Sequence, residues 1–216
     1  MMKKFFKENN LITAVLTTFG YFVLEMLLFL FSSNFTKNFA IKYIISYILT
    51  IIIYIFRHKY VIKDIKNLKQ DFLVNKKDIL KVVIIGTTLV LGSSLLLTNV
   101  FHITSTNELL VEAEFYQDKI LMSINIILLA PIAEELIFRG TYKDVKNKKG
   151  LLIISTIVFA LIHITSTDNI LSLLYIIPYL IMSYMFSYCM YKTNNSIMSI
   201  IAHIGYNLIN IVILFI

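Results

Sequence analysis

Charge is what this sequence has least of. Only 15% of its 216 residues are Asp, Glu, Lys or Arg, where a soluble globular domain carries about 25%. Its one cysteine, Cys189, lies within an apolar run, which excludes a disulfide framework and a cysteine metal site. Proline and glycine are scarce as well, two and six, and no internal repeat or low-complexity linker interrupts the chain. What is present is apolar: 58% of the residues are hydrophobic, in recurring runs of about 20, the length a helix needs to cross roughly 30 Å of hydrocarbon. Only helices and closed barrels can span, because every backbone polar group must be satisfied inside lipid. Continuous rather than alternating apolar runs select helices. The expected fold is therefore all-α, a polytopic membrane bundle forming one domain over residues 1–216.

Seven spans are expected: Leu11 to Phe31, Phe39 to Phe56, Ile79 to Leu97, Ile120 to about Phe138, Leu151 to Ile164, Ile170 to Tyr191 and Ile197 to Ile216. The first follows Lys3, Lys4 and Lys7 as a signal peptide would, but its apolar run is too long and no small-x-small cleavage site follows, so it reads as a retained span. The net charge of +7 does not indicate nucleic acid, because the lysines sit in the connections. Alternate connections hold Lys3, Lys4 and Lys7, eight cations from Arg57 to Lys81, five from Arg139 to Lys149, and Lys192, seventeen in all. The other side has only Lys37, Lys42 and Lys119. This bias puts the N-terminus in the cytoplasm and the C-terminus outside, in a multi-pass protein of the cell membrane. Between Arg57 and Asp78, Ile65, Leu68 and Phe72 recur at helical spacing among lysines, a pattern that suits a helix on the anionic inner leaflet as well as it suits a solvated loop. The outer connection from Asn99 to Asp118 carries Glu108, Glu112, Glu114 and Asp118, and is assigned no chemistry. Glu25, alone in the first span, either lines a cavity or packs beside a polar partner.

The exceptional stretch is Pro131-Ile132-Ala133-Glu134-Glu135-Leu136-Ile137-Phe138-Arg139. A charged residue at the centre of a membrane helix costs roughly 2.5–3.5 kcal/mol and ordinarily faces a bundle interior or a wet cavity. Residues four apart share a helix face, so Glu135 can pair with Arg139, while Glu134 points about 100° away. Pro131 breaks the helix one turn before and frees the carbonyl of Ile127. Phe159 and His163 repeat the four-residue spacing in the fifth span, and His203 and Asn207 do so in the seventh, where Gly205 would let a neighbour approach. Measured from Lys146, Lys149 and Lys192, residues Glu134, His163 and His203 lie 12, 14 and 11 positions in, or roughly 16–21 Å at about 1.5 Å per residue. All three reach similar depth.

Taken singly, each has a plainer reading: a solvated helix end for the glutamates, packing for each histidine, an interhelical hydrogen bond for Asn207. Together, a carboxylate and two imidazoles in a low-dielectric pocket point to hydrolysis. Glu134 can act as general base toward water. Glu134, His163 and His203 can instead ligate a hydrolytic zinc with an open position, or His163 can help activate water while His203 and Asn207 donate to an oxyanion. The residues permit these schemes and select none.

The ordered set Glu134-Glu135-Leu-Ile-Phe-Arg139, Phe159-Ala-Leu-Ile-His163 and His203-Ile-Gly-Tyr-Asn207 resembles the EExxxR, FxxxH and HxxxN motifs of the CAAX protease and bacteriocin-processing (Abi) family of intramembrane proteases. The motifs span Glu134 to Asn207, about a third of the chain, within residues 119–216; the three spans of residues 1–98 carry none. The resemblance implies cleavage of a membrane-associated peptide or protein, with Glu134, His163 and His203 as the catalytic core, Asn207 assisting the oxyanion, and Glu135, Arg139 and Phe159 as support. It leaves zinc and metal-free mechanisms both open, and implies roles in peptide maturation or bacteriocin immunity. A non-catalytic immunity or scaffold protein of the same fold is the competing expectation. A small transporter using the buried carboxylate is a third, disfavoured by the lack of an inverted repeat.

Overall fold

A computed structural model describes residues 10–164 and 170–215. Lys3, Lys4 and Lys7 of the topology argument, and Ile216 at the end of the last expected span, lie outside these residues. Helices α1 (Asn10–Ser32), α2 (Phe39–Arg57) and α3 (Tyr60–Asn99) are followed by a shorter α4 (Thr106–Gln117). The chain then runs through α5 (Lys119–Ile124), a π-helical turn (Asn125–Leu129) and α6 (Ala130–Phe138) as one composite rod. After it come α7 (Lys148–Ile162), α8 (Ile176–Thr193) and α9 (Ser196–Phe215). There is no strand among the described residues.

Six helices among the described residues are long and apolar enough to cross a membrane, and the protein is a multi-pass membrane protein. The fifth of the seven expected spans differs. It begins at Lys148 rather than Leu151, because the Asn147 side chain caps it by accepting from Gly150 N at 2.9 Å. With 15 residues it is roughly 22 Å long, short of a full crossing, and it ends at His163 in the interior of the bundle.

The expected surface helix between Arg57 and Asp78 is the first half of the 40-residue α3. It is joined to the adjacent ends of its neighbours rather than lying free on lipid. The Tyr60 hydroxyl meets that of Tyr54, and Asp64 pairs with Lys143. Asp64 also accepts from the Ser196 N–H at 2.9 Å and hydroxyl at 2.8 Å, satisfying donors that the first turn of α9 would otherwise leave open. Leu68 and Phe72 pack on the core, while Ile65 stays 57% exposed. The lysines of this segment stay exposed while one carboxylate, Asp64, is buried against protein, which a hydrophobicity pattern cannot reveal.

One buried cluster joins Tyr54 and Val90 of the early helices to Leu136, Phe159, Met185, Phe186 and Tyr206. Outside it, Leu16, Phe19 and Leu30 of α1 are more than half exposed, as expected where lipid is the solvent. Close helix contact occurs at Gly86, where a Cβ would come within 2.7 Å of Met185 Sδ. Gly205, expected to serve such an approach, has nothing within 4 Å of its Cβ position; it lies on the exposed side of α9.

Candidate functional site

The site begins with a backbone defect. In the π-helical turn the Ala130 N–H reaches the carbonyl of Asn125, five residues back instead of four. In that register the next donor would serve Ile126, and the next residue is Pro131, which has no N–H. Asn207 of α9 supplies it: its Nδ2 donates to the Ile126 carbonyl at 2.7 Å. The open carbonyl is therefore that of Ile126, not the expected Ile127, because the register is π rather than α. Such π-bulges concentrate at functional sites.

One turn later, the two glutamates separate. Glu135 is fully buried and accepts from Arg139 Nη1 at 3.0 Å, across one helical turn. Arg139 is also fully buried, and its other nitrogens reach the Ser183 carbonyl (3.2 Å) and hydroxyl (2.6 Å) and the Ser187 hydroxyl (3.3 Å). Its guanidinium lies 4.2 Å from the Phe159 ring centroid. The same Glu135 oxygen accepts from His203 Nδ1 at 2.9 Å, and the imidazole stacks on Phe186 at 4.2 Å and 22°. His203 is thus held by a carboxylate that is itself held by an arginine, and its Nε2 is left facing Glu134 at 4.0 Å. That gap is too long for a hydrogen bond and suits a bridging water.

His163, at the end of α7, donates from Nδ1 to the Phe159 carbonyl at 2.8 Å and stacks on the Phe159 ring at 4.2 Å. A backbone carbonyl accepts only, so Nδ1 carries the proton and Nε2 is the free nitrogen. Glu134, His163, His203 and Asn207 all line one cavity of about 450 Å³. The donors a zinc site would use are therefore in one cavity. Among the described residues, however, no three His, Cys, Asp or Glu side chains are grouped closely enough to hold a metal ion, so this geometry does not fit one as it stands.

Glu25 accepts from Ser46 at 3.5 Å and is not part of the cavity wall. Sequence reasoning missed Ser183 and Ser187, whose four-residue spacing in an apolar run was a readable signal, and Phe186, which had none. It also missed the wall residues Tyr47 and Asn125, and assigned no chemistry to Glu108, Glu112 and Glu114, which line the same wall.

Fold and site define a polytopic helical membrane protein with a carboxylate and two oriented imidazoles around an internal cavity. Residues 116–209 match the family described as type II CAAX prenyl endopeptidase Rce1-like, bearing out the resemblance to CAAX proteases that the three motifs carry. The chain is also 32% identical over 123 residues to the UPF0177 protein YxdF of Lactococcus lactis subsp. lactis (strain IL1403). That alignment covers 56% of this chain and 63% of the relative's length. No solved structure matches the chain.

Proposed function

We propose that the protein is an intramembrane endopeptidase that hydrolyses a peptide bond in a membrane-associated peptide or protein. The observation that supports this best is the convergence of Glu134, His163, His203 and Asn207 on one cavity, with His203 oriented by the Glu135–Arg139 pair. A water between Glu134 and His203 loses a proton to the Glu134 carboxylate as its oxygen attacks the scissile carbonyl carbon. The resulting oxyanion is met by the second N–H of Asn207, whose first is engaged by Ile126, and His203, fixed by Glu135 through Nδ1, walls the site opposite Glu134. His163 orients the water through Nε2. Glu134 then returns the proton to the leaving nitrogen as the C–N bond breaks. The family match supports a CAAX-type protease; substrates in peptide maturation or bacteriocin immunity are part of this proposal.

The test is cleavage of single-span peptides by purified protein in lipid nanodiscs, read by mass spectrometry. Glu134→Gln is expected to lower the rate at least about a hundredfold, the scale of general-base catalysis, with folding unchanged by thermal melt. Undiminished cleavage by that variant would refute the mechanism. Activity that survives metal removal supports water activation by glutamate alone, whereas loss restored by zinc moves the first step to a metal. If Glu134→Gln and His203→Ala both preserve the protein's effect in cells, its role is binding rather than hydrolysis.

A further inference from the structure

The cavity does not stop at the glutamate and histidines. His203, Tyr206, Asn207, Asn210, Ile211 and Leu214 of α9 all line it, a single helix face recurring at three and four residues. From His203 to Leu214 that face extends roughly 16 Å toward the C-terminal, outward end of the helix. There α4 closes over it, and Glu108, Glu112 and Glu114 enter the wall. Its start is tied down: Ser105, which caps it by accepting from Glu108 N at 3.2 Å, bonds the Tyr179 hydroxyl at 2.8 Å. Tyr179 in turn packs against His163, ring to ring at 5.2 Å. The acidic helix is thus fastened to the same framework as the candidate site.

The chemistry of this wall is one-sided. No Lys or Arg among the described residues lines the cavity. Among the described residues, none of the three glutamates has an ion-pair partner. Two of the three outer lysines are placed elsewhere: Lys42 lies over the Phe39 ring at 4.7 Å and Lys119 over Tyr116 at 5.1 Å. Deeper in, Asn125 is only 2% exposed and lines the cavity. Its Nδ2 donates to the Ala40 carbonyl at 2.9 Å, and its Oδ1, on the other side of the amide, has no donor. A buried acceptor left open is costly unless a donor arrives. The cavity therefore offers acceptors and negative charge, and asks for N–H donors and positive charge.

We propose that this outward half receives the positively charged flank of the substrate, with Glu108, Glu112 and Glu114 as counter-charges and Asn125 accepting a substrate N–H; the proposal rests on the peptidase reading. An extended chain rises roughly 3.3 Å per residue, so the Lys or Arg residues sit about five positions outward of the scissile bond. The test uses full-length Glu134→Gln protein in phosphatidylcholine nanodiscs and two fluorescent single-span peptides that differ only in an outward flank of three Lys or three Gln. The Lys peptide is expected to bind roughly three- to tenfold more tightly at about 0.15 M salt, the scale of one or two partly screened ion pairs, and to lose this advantage near 1 M. Glu108→Gln/Glu112→Gln/Glu114→Gln removes the preference, and the corresponding triple Lys replacement transfers it to a Glu-flanked peptide. Equal binding of the Lys and Gln peptides by protein with its acidic wall intact overturns the proposal without relying on any wall variant. Charge preference without cleavage by the native protein supports the acidic wall and refutes hydrolysis. Cleavage without charge preference does the reverse.

Discussion

Arg139 makes hydrogen bonds to Glu135, Ser183 and Ser187 while fully buried. Removing it leaves the Glu135 carboxylate uncompensated in a low-dielectric interior, and breaking a buried pair in this way costs about 3–5 kcal/mol. Arg139→Ala is therefore expected to lower stability by that amount in a denaturant or thermal titration. Arg139→Lys should recover only a minor part, since an ammonium cannot reproduce the guanidinium fork; a lysine variant as stable as the native protein would contradict this account. Glu108 gives a prediction of opposite sense. Burial pushes its carboxyl up from 4.5 to about 7, so the folded state holds the proton more tightly than the unfolded one. The cost is absent below about pH 4.5, grows between 4.5 and 7, and is fully present above. Because Glu108 is exposed on α4, water screens much of this cost, and Glu108→Gln should raise the melting temperature only slightly at pH 8 and leave it unchanged at pH 4. The i, i+4 relation of Glu135 to Arg139 follows from helical geometry, and needed no coordinates. The elevated Glu108 carboxyl did, because the sequence shows only a glutamate in a connection.

Among the elements, the composite rod α5–π–α6 and helix α9 depend on each other. Pro131 creates a carbonyl without a donor, and Asn207 completes it. Restoring an N–H by Pro131→Ala should make Asn207 dispensable for the fold. Asn207→Ala is expected to destabilise the native protein by about 1–3 kcal/mol, the cost of an unsatisfied buried acceptor, and to do so less in the Pro131→Ala background. A double-mutant cycle in unfolding measures this coupling, expected at about 0.5–3 kcal/mol; strict additivity would disprove the link. The break itself was legible from one proline in an apolar run. Its position was not, since the π register shifts the open carbonyl by one residue. The short α7 shows the same limit: its apolar composition resembles the other spans, while its ends are set by the Asn147 cap and by His163 bonding back to Phe159.

At the scale of the molecule, seventeen of twenty cations on one side predict the orientation, and in that orientation the acidic α4 is the outer roof of the cavity. Topology is checked with single cysteines in a Cys189→Ala background, the native thiol being fully buried. Lys37→Cys is expected to react with a membrane-impermeant maleimide in intact cells, and Lys66→Cys only after lysis. The reverse pattern would place the acidic wall on the cytoplasmic side and turn the predicted substrate flank with it.

The sequence by itself determined the solvent, the helical class and the three polar motifs, because each follows from composition or from spacing along one helix. The tertiary structure decided which polar groups share a cavity, which carbonyl Asn207 completes, and that a connection without a motif forms the outer wall. Those outcomes depend on how separate helices rotate and slide against one another, and that is settled by packing between residues distant in the chain, a relation no local pattern encodes.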